Sequence, residues 1–221
     1  MRLVVFDLDG TLTLGASAER RFIRYLLRRG RLGPRQLAAM SWFALRHGAT
    51  FGRHVFKKDK AYLYGLGVGD VARLARAFVE EELLGALYAP ACERLAGHRR
   101  DGDAVALLTG TPQFIADPLA RHLGADHVWA TRCHVRRGRF SAAPPARHPF
   151  GAEKLRLGRE MARQVGLGLD AATAYADSGH DIALLSAVAE AVAVCPDKRL
   201  RGIAEQRGWE VLEAPAAPAT A

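Results

Sequence analysis

Residues 3–13 read LVVFDLDGTLT: Leu3, Val4, Val5 and Phe6 run without interruption into an acidic turn that opens at Asp7. A short apolar run without polar alternation reads as a strand buried on both faces. Two later runs end in a similar way. VALL, residues 105–108, leads into Thr109 within LLTGT, and ATAYA, residues 172–176, leads into Asp177 within DSGHD. In an open parallel α/β sheet the reactive crevice lies outside the carboxyl ends of the strands, so residues far apart in sequence converge there.

Outward from these runs, the chain alternates strands and helices. Strand 3–7 is followed by a mainly helical stretch, 17–98. Strand 104–109, a helix from 112, strand 127–131, a helix from about 152, strand 172–176, a helix from 179 and strand 191–194 complete the pattern. This predicts an α/β fold, a doubly wound, Rossmann-like parallel sheet with right-handed crossovers. The helical stretch interrupts the alternation after the first strand, so it is expected to be an inserted cap over the strand ends. The expected division is a core of 1–16 and 99–213, a cap of 17–98, and a disordered tail, APAAPATA, at 214–221. CHVRRGRF, residues 133–140, reads as a hairpin turning at Gly138, and the Pro-rich SAAPPARHPFG follows it.

Composition bounds the function. The 221 residues are 49% hydrophobic and 25% charged, enough for one sizeable core. The amino terminus enters a strand directly rather than a cleavable leader, and no apolar run is long enough to span a bilayer, so a cytoplasmic location is expected. Three scattered cysteines, Cys92, Cys133 and Cys195, suggest neither a disulfide framework nor a zinc site. The net charge of +9 is concentrated: residues 20–60 hold twelve Lys or Arg against one acid, Asp59, while the rest of the chain holds 20 against 22. Apolar residues interleave there, first Phe22, Ile23, Leu26 and Leu27, then Leu37, Met40, Trp42, Phe43 and Leu45. The segment reads either as amphipathic helices with a solvated basic face or as a surface for an anionic substrate, an anionic membrane or nucleic acid. No nucleic-acid-reading motif accompanies it, so nucleic acid is not expected as a partner.

The acidic turn carries the first candidate chemistry. Asp7 and Asp9 share a face if the chain stays extended, and two close carboxylates need a proton or a hard cation such as Mg²⁺ between them. Gly10 lets the chain turn, and Thr11 and Thr13 can bond that turn. Thr111 before Pro112 has the form of a helix N-cap, which leaves Thr109 as the better donor to a phosphoryl oxygen. Lys154 lies in the first turn of a helix, where the macrodipole disfavours a cation unless it faces carboxylates or phosphate. Ser178 and Asp181 fit a capping box, whereas Asp177 at the end of a buried strand has no such local explanation.

In order along the chain, DLDGT, LLTG, Lys154 and DSGHD resemble the four motifs of the haloacid dehalogenase superfamily, over nearly the whole sequence. The insertion after the first strand is similar to that family's C1 cap. AYADSGHDIALLSAVAEAVAVCPDKRLRGIAEQRGWEV looks most like its phosphoserine-phosphatase-like subfamily IB. The resemblance implies a Mg²⁺-dependent phosphomonoesterase in which Asp7 forms an aspartyl-phosphate and Asp9 is general acid and base. It further implies a metal held by Asp7, the Asp9 main-chain carbonyl and Asp177, phosphate bound by Thr109, Gly110 and Lys154, and Asp181 orienting Lys154 or a metal-bound water. Lys57 or Lys58 is the implied cap residue for a substrate carboxylate. The family's substrate-ammonium glutamate is replaced here by Ala16, which argues against phosphoserine, and His180 stands where asparagine is frequent. The substrate is expected to be a small or lipid-like anionic phosphomonoester, with peripheral contact to an anionic membrane as an option. Phosphoserine or histidinol phosphate specifically, or a basic binding module without turnover, are the alternatives. Asp9 argues against a hydrolytic dehalogenase.

Overall fold

The computed structural model describes residues 1–52 and 58–213. In chain order the strands are β1 (Leu3–Phe6), β2 (Ala104–Pro112), β3 (His127–Thr131), β4 (Val135–Arg136), β5 (Arg139–Phe140), β6 (Thr173–Ala176), β7 (Glu190–Val194) and β8 (Glu210–Leu212). The helices are α1 (Ala18–Arg28), α2 (Pro34–Phe51), α3 (Val68–Phe78), α4 (Ala89–Arg100), α5 (Gln113–Leu123), α6 (Ala152–Gln164), α7 (Ile182–Leu185) and α8 (Lys198–Arg207), joined in places by short 3₁₀ or π turns.

Six parallel strands form one sheet in the order β3-β2-β1-β6-β7-β8. The chain leaves β1 toward β2 and β3, then returns past β1 to β6. The winding direction therefore reverses between β1 and β6, which opens a crevice at their carboxyl ends. Asp7 and Asp177 are the first residues beyond those two strands.

Alternation in the strands loads both faces of the sheet. Leu3, Val5, Ala106, Leu108 and Ala174 pack with Leu157 and Met161 of α6 and Leu200 of α8. Val4, Phe6, Val105, Leu107, Tyr175 and Val192 pack on the other face with Ala91 and Leu95 of α4 and Ala120 of α5. Helix α4 falls within the stretch read from sequence as cap, yet its apolar side is part of the sheet's own core. Its helical periodicity could not distinguish these two partners.

Over the strand ends, Phe22, Tyr25 and Leu26 of α1 join Val71, Ala75 and Phe78 of α3 in a second core that continues into Ile115, Ala116 and Leu119 of α5. The Phe78 ring lies 5.3 Å from Phe22 and 5.5 Å from Tyr25 between centroids. Helix α2 is held less closely, burying only Gln36, Ala39 and Phe43. The expected hairpin forms as β4 and β5 around Arg137 and Gly138, both at positive φ (51° and 73°), as a tight two-residue turn requires. It clasps the cap: the Gly65 N–H donates to the Phe140 carbonyl, the Phe140 N–H to the Leu66 carbonyl, and the Val68 N–H to the Gly138 carbonyl. Among the described residues, no helix is long and apolar enough to cross a membrane.

Candidate active site

The crevice gathers the sequence-selected residues around one lysine. Lys154 lies in the first turn of α6, and its Nζ sits 3.1 Å from Asp7 Oδ2 and 3.0 Å from Asp181 Oδ2. All three side chains are nearly buried. Burial alone would lower the Lys154 pKa, but Asp181 and Asp7 outweigh it and hold the ammonium above its usual range. The charge that a helix start disfavours is thus neutralised by tertiary partners. Ser178 caps the short turn after β6 by accepting from the His180 N–H, so Asp181 is left to face the lysine.

Asp9 has a different environment. Its Oδ2 accepts from the Thr111 hydroxyl at 2.6 Å, and its Oδ1 accepts from the Ala18 N–H at the start of α1, also at 2.6 Å. Burial raises its pKa to about 6, although these two hydrogen bonds oppose the shift. Thr111 is therefore not the helix cap that its position before proline suggests. Strand β2 runs on to Pro112, which takes the N-cap position of α5 without a side-chain bond. Its pairing with β3 is irregular there: Leu108 faces Trp129, but Pro112 faces Thr131, so residues 109–111 bulge out of register. Such bulges re-aim side chains. Thr109 is buried in the bulge and lines the crevice, and the Gly110 carbonyl accepts from the Thr131 hydroxyl at 2.5 Å. The sequence carried no signal for this register change, which is why the Asp9–Thr111 bond was missed.

Carboxylate oxygens of Asp7, Asp177 and Asp181 all lie within 4.8 Å of one another. Burial, then the charges of Asp7 and Asp181, push the Asp177 pKa up to about 8. Asp7 Oδ1 is buried without a hydrogen-bond partner among the described residues. A Cβ on Gly10, whose φ is +84°, would fall 2.1 Å from Asp177 Oδ2, so glycine is what lets that carboxylate come in. Three hard oxygen donors with an orphaned lone pair fit a divalent cation such as Mg²⁺. The Asp181 carboxylate belongs to this cluster directly, whereas the Asp9 carboxylate is turned away toward Thr111, which would leave only its main-chain carbonyl for a metal.

A cleft of about 500 Å³ opens from these residues toward the cap, where Arg20, Ile23, Met40, Asp59 and Tyr62 form its far wall. Ala16 lines it too, and Glu19 is held there by Lys60 and the Tyr62 hydroxyl. His180 lines the cleft with its ring 4.5 Å from that of Phe150, rather than facing solvent as a first-turn histidine would. Lys58 is not among the cleft residues; its Nζ sits 4.8 Å over the Phe51 ring. Lys57 and the tail at 214–221 lie outside the described residues.

A family model for haloacid dehalogenase-like hydrolases matches residues 4–186. The chain belongs to that family. This haloacid dehalogenase-like hydrolase is 33% identical over 215 residues to phosphoserine phosphatase SerB1 of Mycobacterium tuberculosis, a match covering 93% of this chain and 68% of that protein. Among solved structures, a protein of unknown function from Bordetella pertussis Tohama I is similar with a TM-score of 0.81 and 28% identity, over 96% of this chain and 98% of that one. A phospho-aspartyl intermediate analogue of phosphoserine phosphatase shares the fold at a TM-score of 0.59 and 17% identity, over 96% and 93%. The hydrolase is thus a phosphoserine-phosphatase-like phosphatase of its family in sequence and architecture.

Proposed function

We propose that this phosphatase is a Mg²⁺-dependent phosphomonoesterase acting through an aspartyl-phosphate on Asp7. The observation that carries the reading is the pairing of Lys154 with both Asp7 and Asp181 while Asp9 is held apart by Thr111 and Ala18. Two carboxylates two residues apart thereby receive distinct environments, as a nucleophile and a proton donor require.

In this reading Asp7 attacks phosphorus in line, forming an O–P bond as the ester P–O bond breaks, and Asp9 gives its proton to the leaving alkoxide. Asp9, now a carboxylate, takes a proton from water as that water attacks phosphorus, releasing Asp7 and inorganic phosphate. Lys154 and the Thr109 hydroxyl, with the Gly110 N–H, bind the transferring oxygens. Asp181 positions Lys154. Asp7, Asp177 and Asp181, with the Asp9 main-chain carbonyl, would hold Mg²⁺, which when bound neutralises charge on the nucleophile and the phosphate.

The substrate class supported best is a small or lipid-like anionic phosphomonoester. The cleft has room for a modest leaving group and is walled by Arg20, Ile23 and Met40. A second reading, an amino-bearing ester such as phosphoserine or histidinol phosphate, is favoured by Asp59, a buried carboxylate on the cap wall. Phosphate release should be measured with and without Mg²⁺ from phosphoserine, histidinol phosphate, sugar phosphates, nucleotides and lipid phosphates, comparing wild type with Asp7→Asn. Metal-dependent turnover lost in the variant supports the mechanism and ranks the substrates. Turnover retained in Asp7→Asn would refute it, and a basic binding module without turnover would be silent across the panel.

A further inference from the structure

Helix α2 carries two apolar faces, of which the fold uses one. Ala39 and Phe43 are buried against the cap. On the opposite side Leu37, Trp42 and Leu45 are 57%, 60% and 77% exposed. Leu37, Ser41 and Leu45 follow i, i+4, i+8 spacing, and Ala38, Trp42 and Ala49 extend the same exposed side. An outward stripe of this kind marks an interaction surface.

The charges around the stripe identify what it meets. No Asp or Glu occurs between residues 20 and 58. Arg35 and Arg46 are exposed on α2 and border the stripe. Neither forms an ion pair with a carboxylate among the described residues, and the Arg35 guanidinium lies 4.8 Å over the Tyr64 ring. At the end of α1, by contrast, Arg28 and Arg29 pair with Glu82 and Glu81. A second copy docking through this face about a two-fold axis would bring the same arginines together, where they repel. We propose that α2 docks on an anionic lipid bilayer, with Leu37, Trp42 and Leu45 in the headgroup boundary and the arginines on its negative surface. Tryptophan suits that boundary, since its ring is apolar and its N–H stays wet. The inner side of α2 supplies Met40 to the cleft, and α1 supplies Ile23 and Arg20, so docking would hold the cleft near the lipid surface. The surface is independent of which phosphomonoester the cleft accepts.

The test is sedimentation of the whole chain with phosphatidylcholine vesicles, with and without phosphatidylglycerol, at low and raised salt. The protein should pellet only with the anionic vesicles, and less at high salt. Leu37→Ser/Leu45→Ser should weaken partitioning by about tenfold or more, because two exposed leucines lose their burial. Arg35→Ser/Arg46→Ser should weaken it by roughly fivefold per arginine and flatten the salt dependence. Hydrolysis of a soluble aryl phosphate should stay unchanged in both variants, which separates this surface from the catalytic reading. Binding equal on neutral and anionic vesicles, or undiminished in Leu37→Ser/Leu45→Ser, would overturn the proposal. So would a concentration-dependent dimer that this variant abolishes while the wild type ignores vesicles.

Discussion

The two ends of the sheet treat buried acids in opposite ways. At the amino ends Asp103, just before β2, accepts from the Arg2 N–H at 3.0 Å and from the Arg2 side chain at 3.3 Å, and lies 3.1 Å from His98 Nδ1. His98 continues to the Tyr175 hydroxyl at 2.9 Å. Burial works against the Asp103 carboxylate, but these bonds together hold its pKa below the usual range. At the carboxyl ends Asp177 is crowded by Asp7 and Asp181 and its pKa is pushed up to about 8. One end has satisfied its charge locally, and the other has assembled more negative charge than Lys154 balances. A fold tolerates that imbalance where a cation or an anionic transition state makes use of the arrangement.

Four substitutions can break or sharpen this contrast. Asp7→Asn should lower phosphomonoester turnover by at least about 10³-fold, in line with loss of a nucleophile. It should leave the thermal midpoint unchanged or higher, because one of the crowded charges is removed. Steady-state kinetics beside a melting curve would check both. Asp9→Asn should cost about 10²- to 10⁴-fold with alkyl phosphates. The loss should be smaller with an aryl phosphate whose leaving group needs no proton, and a uniform loss across leaving groups would deny Asp9 the acid role. Gly10→Ala places a methyl against Asp177 and strains a backbone at positive φ. The Mg²⁺ concentration for half-maximal activity should rise by about 10- to 100-fold, the range seen when groups supporting a metal ligand are disturbed.

Asp103→Asn tests the other end and should have the smallest effect on catalysis. It should destabilise the fold by about 1–3 kcal/mol at neutral pH, measured by denaturant unfolding, and leave kcat unchanged. Because the folded-state pKa of Asp103 lies below its unfolded value, its contribution is fully present above the unfolded pKa. It is lost as pH falls through the folded one. Wild type and Asp103→Asn should therefore converge in stability in strong acid. A gap that persisted there would assign the effect to packing rather than charge.

Much of the core was legible because the succession of strands and helices along the chain is encoded locally. Unbroken apolar runs marked buried strands, and the residues just beyond them, Asp7, Thr109 and Asp177, were bound to converge once the strands were parallel. The lysine at a helix start was conspicuous for the same reason: a local rule was violated, and violated rules point to tertiary compensation. The pairing of Asp9 with Thr111 was not legible. It depends on the bulge after Leu108, a register change between β2 and β3 that neither strand reveals alone.

The sequence by itself determined the alternation of elements, the four separated motifs and the concentration of arginine between residues 20 and 58, since each is a property of neighbours along the chain. Only the tertiary structure decided that α4 serves the sheet rather than the cap, that Asp181 joins Asp7 and Asp177 while Asp9 turns away, and that the outer face of α2 stays uncovered. Those outcomes follow from which surfaces meet. Helical periodicity shows that a face is apolar, and packing between distant segments chooses what lies against it.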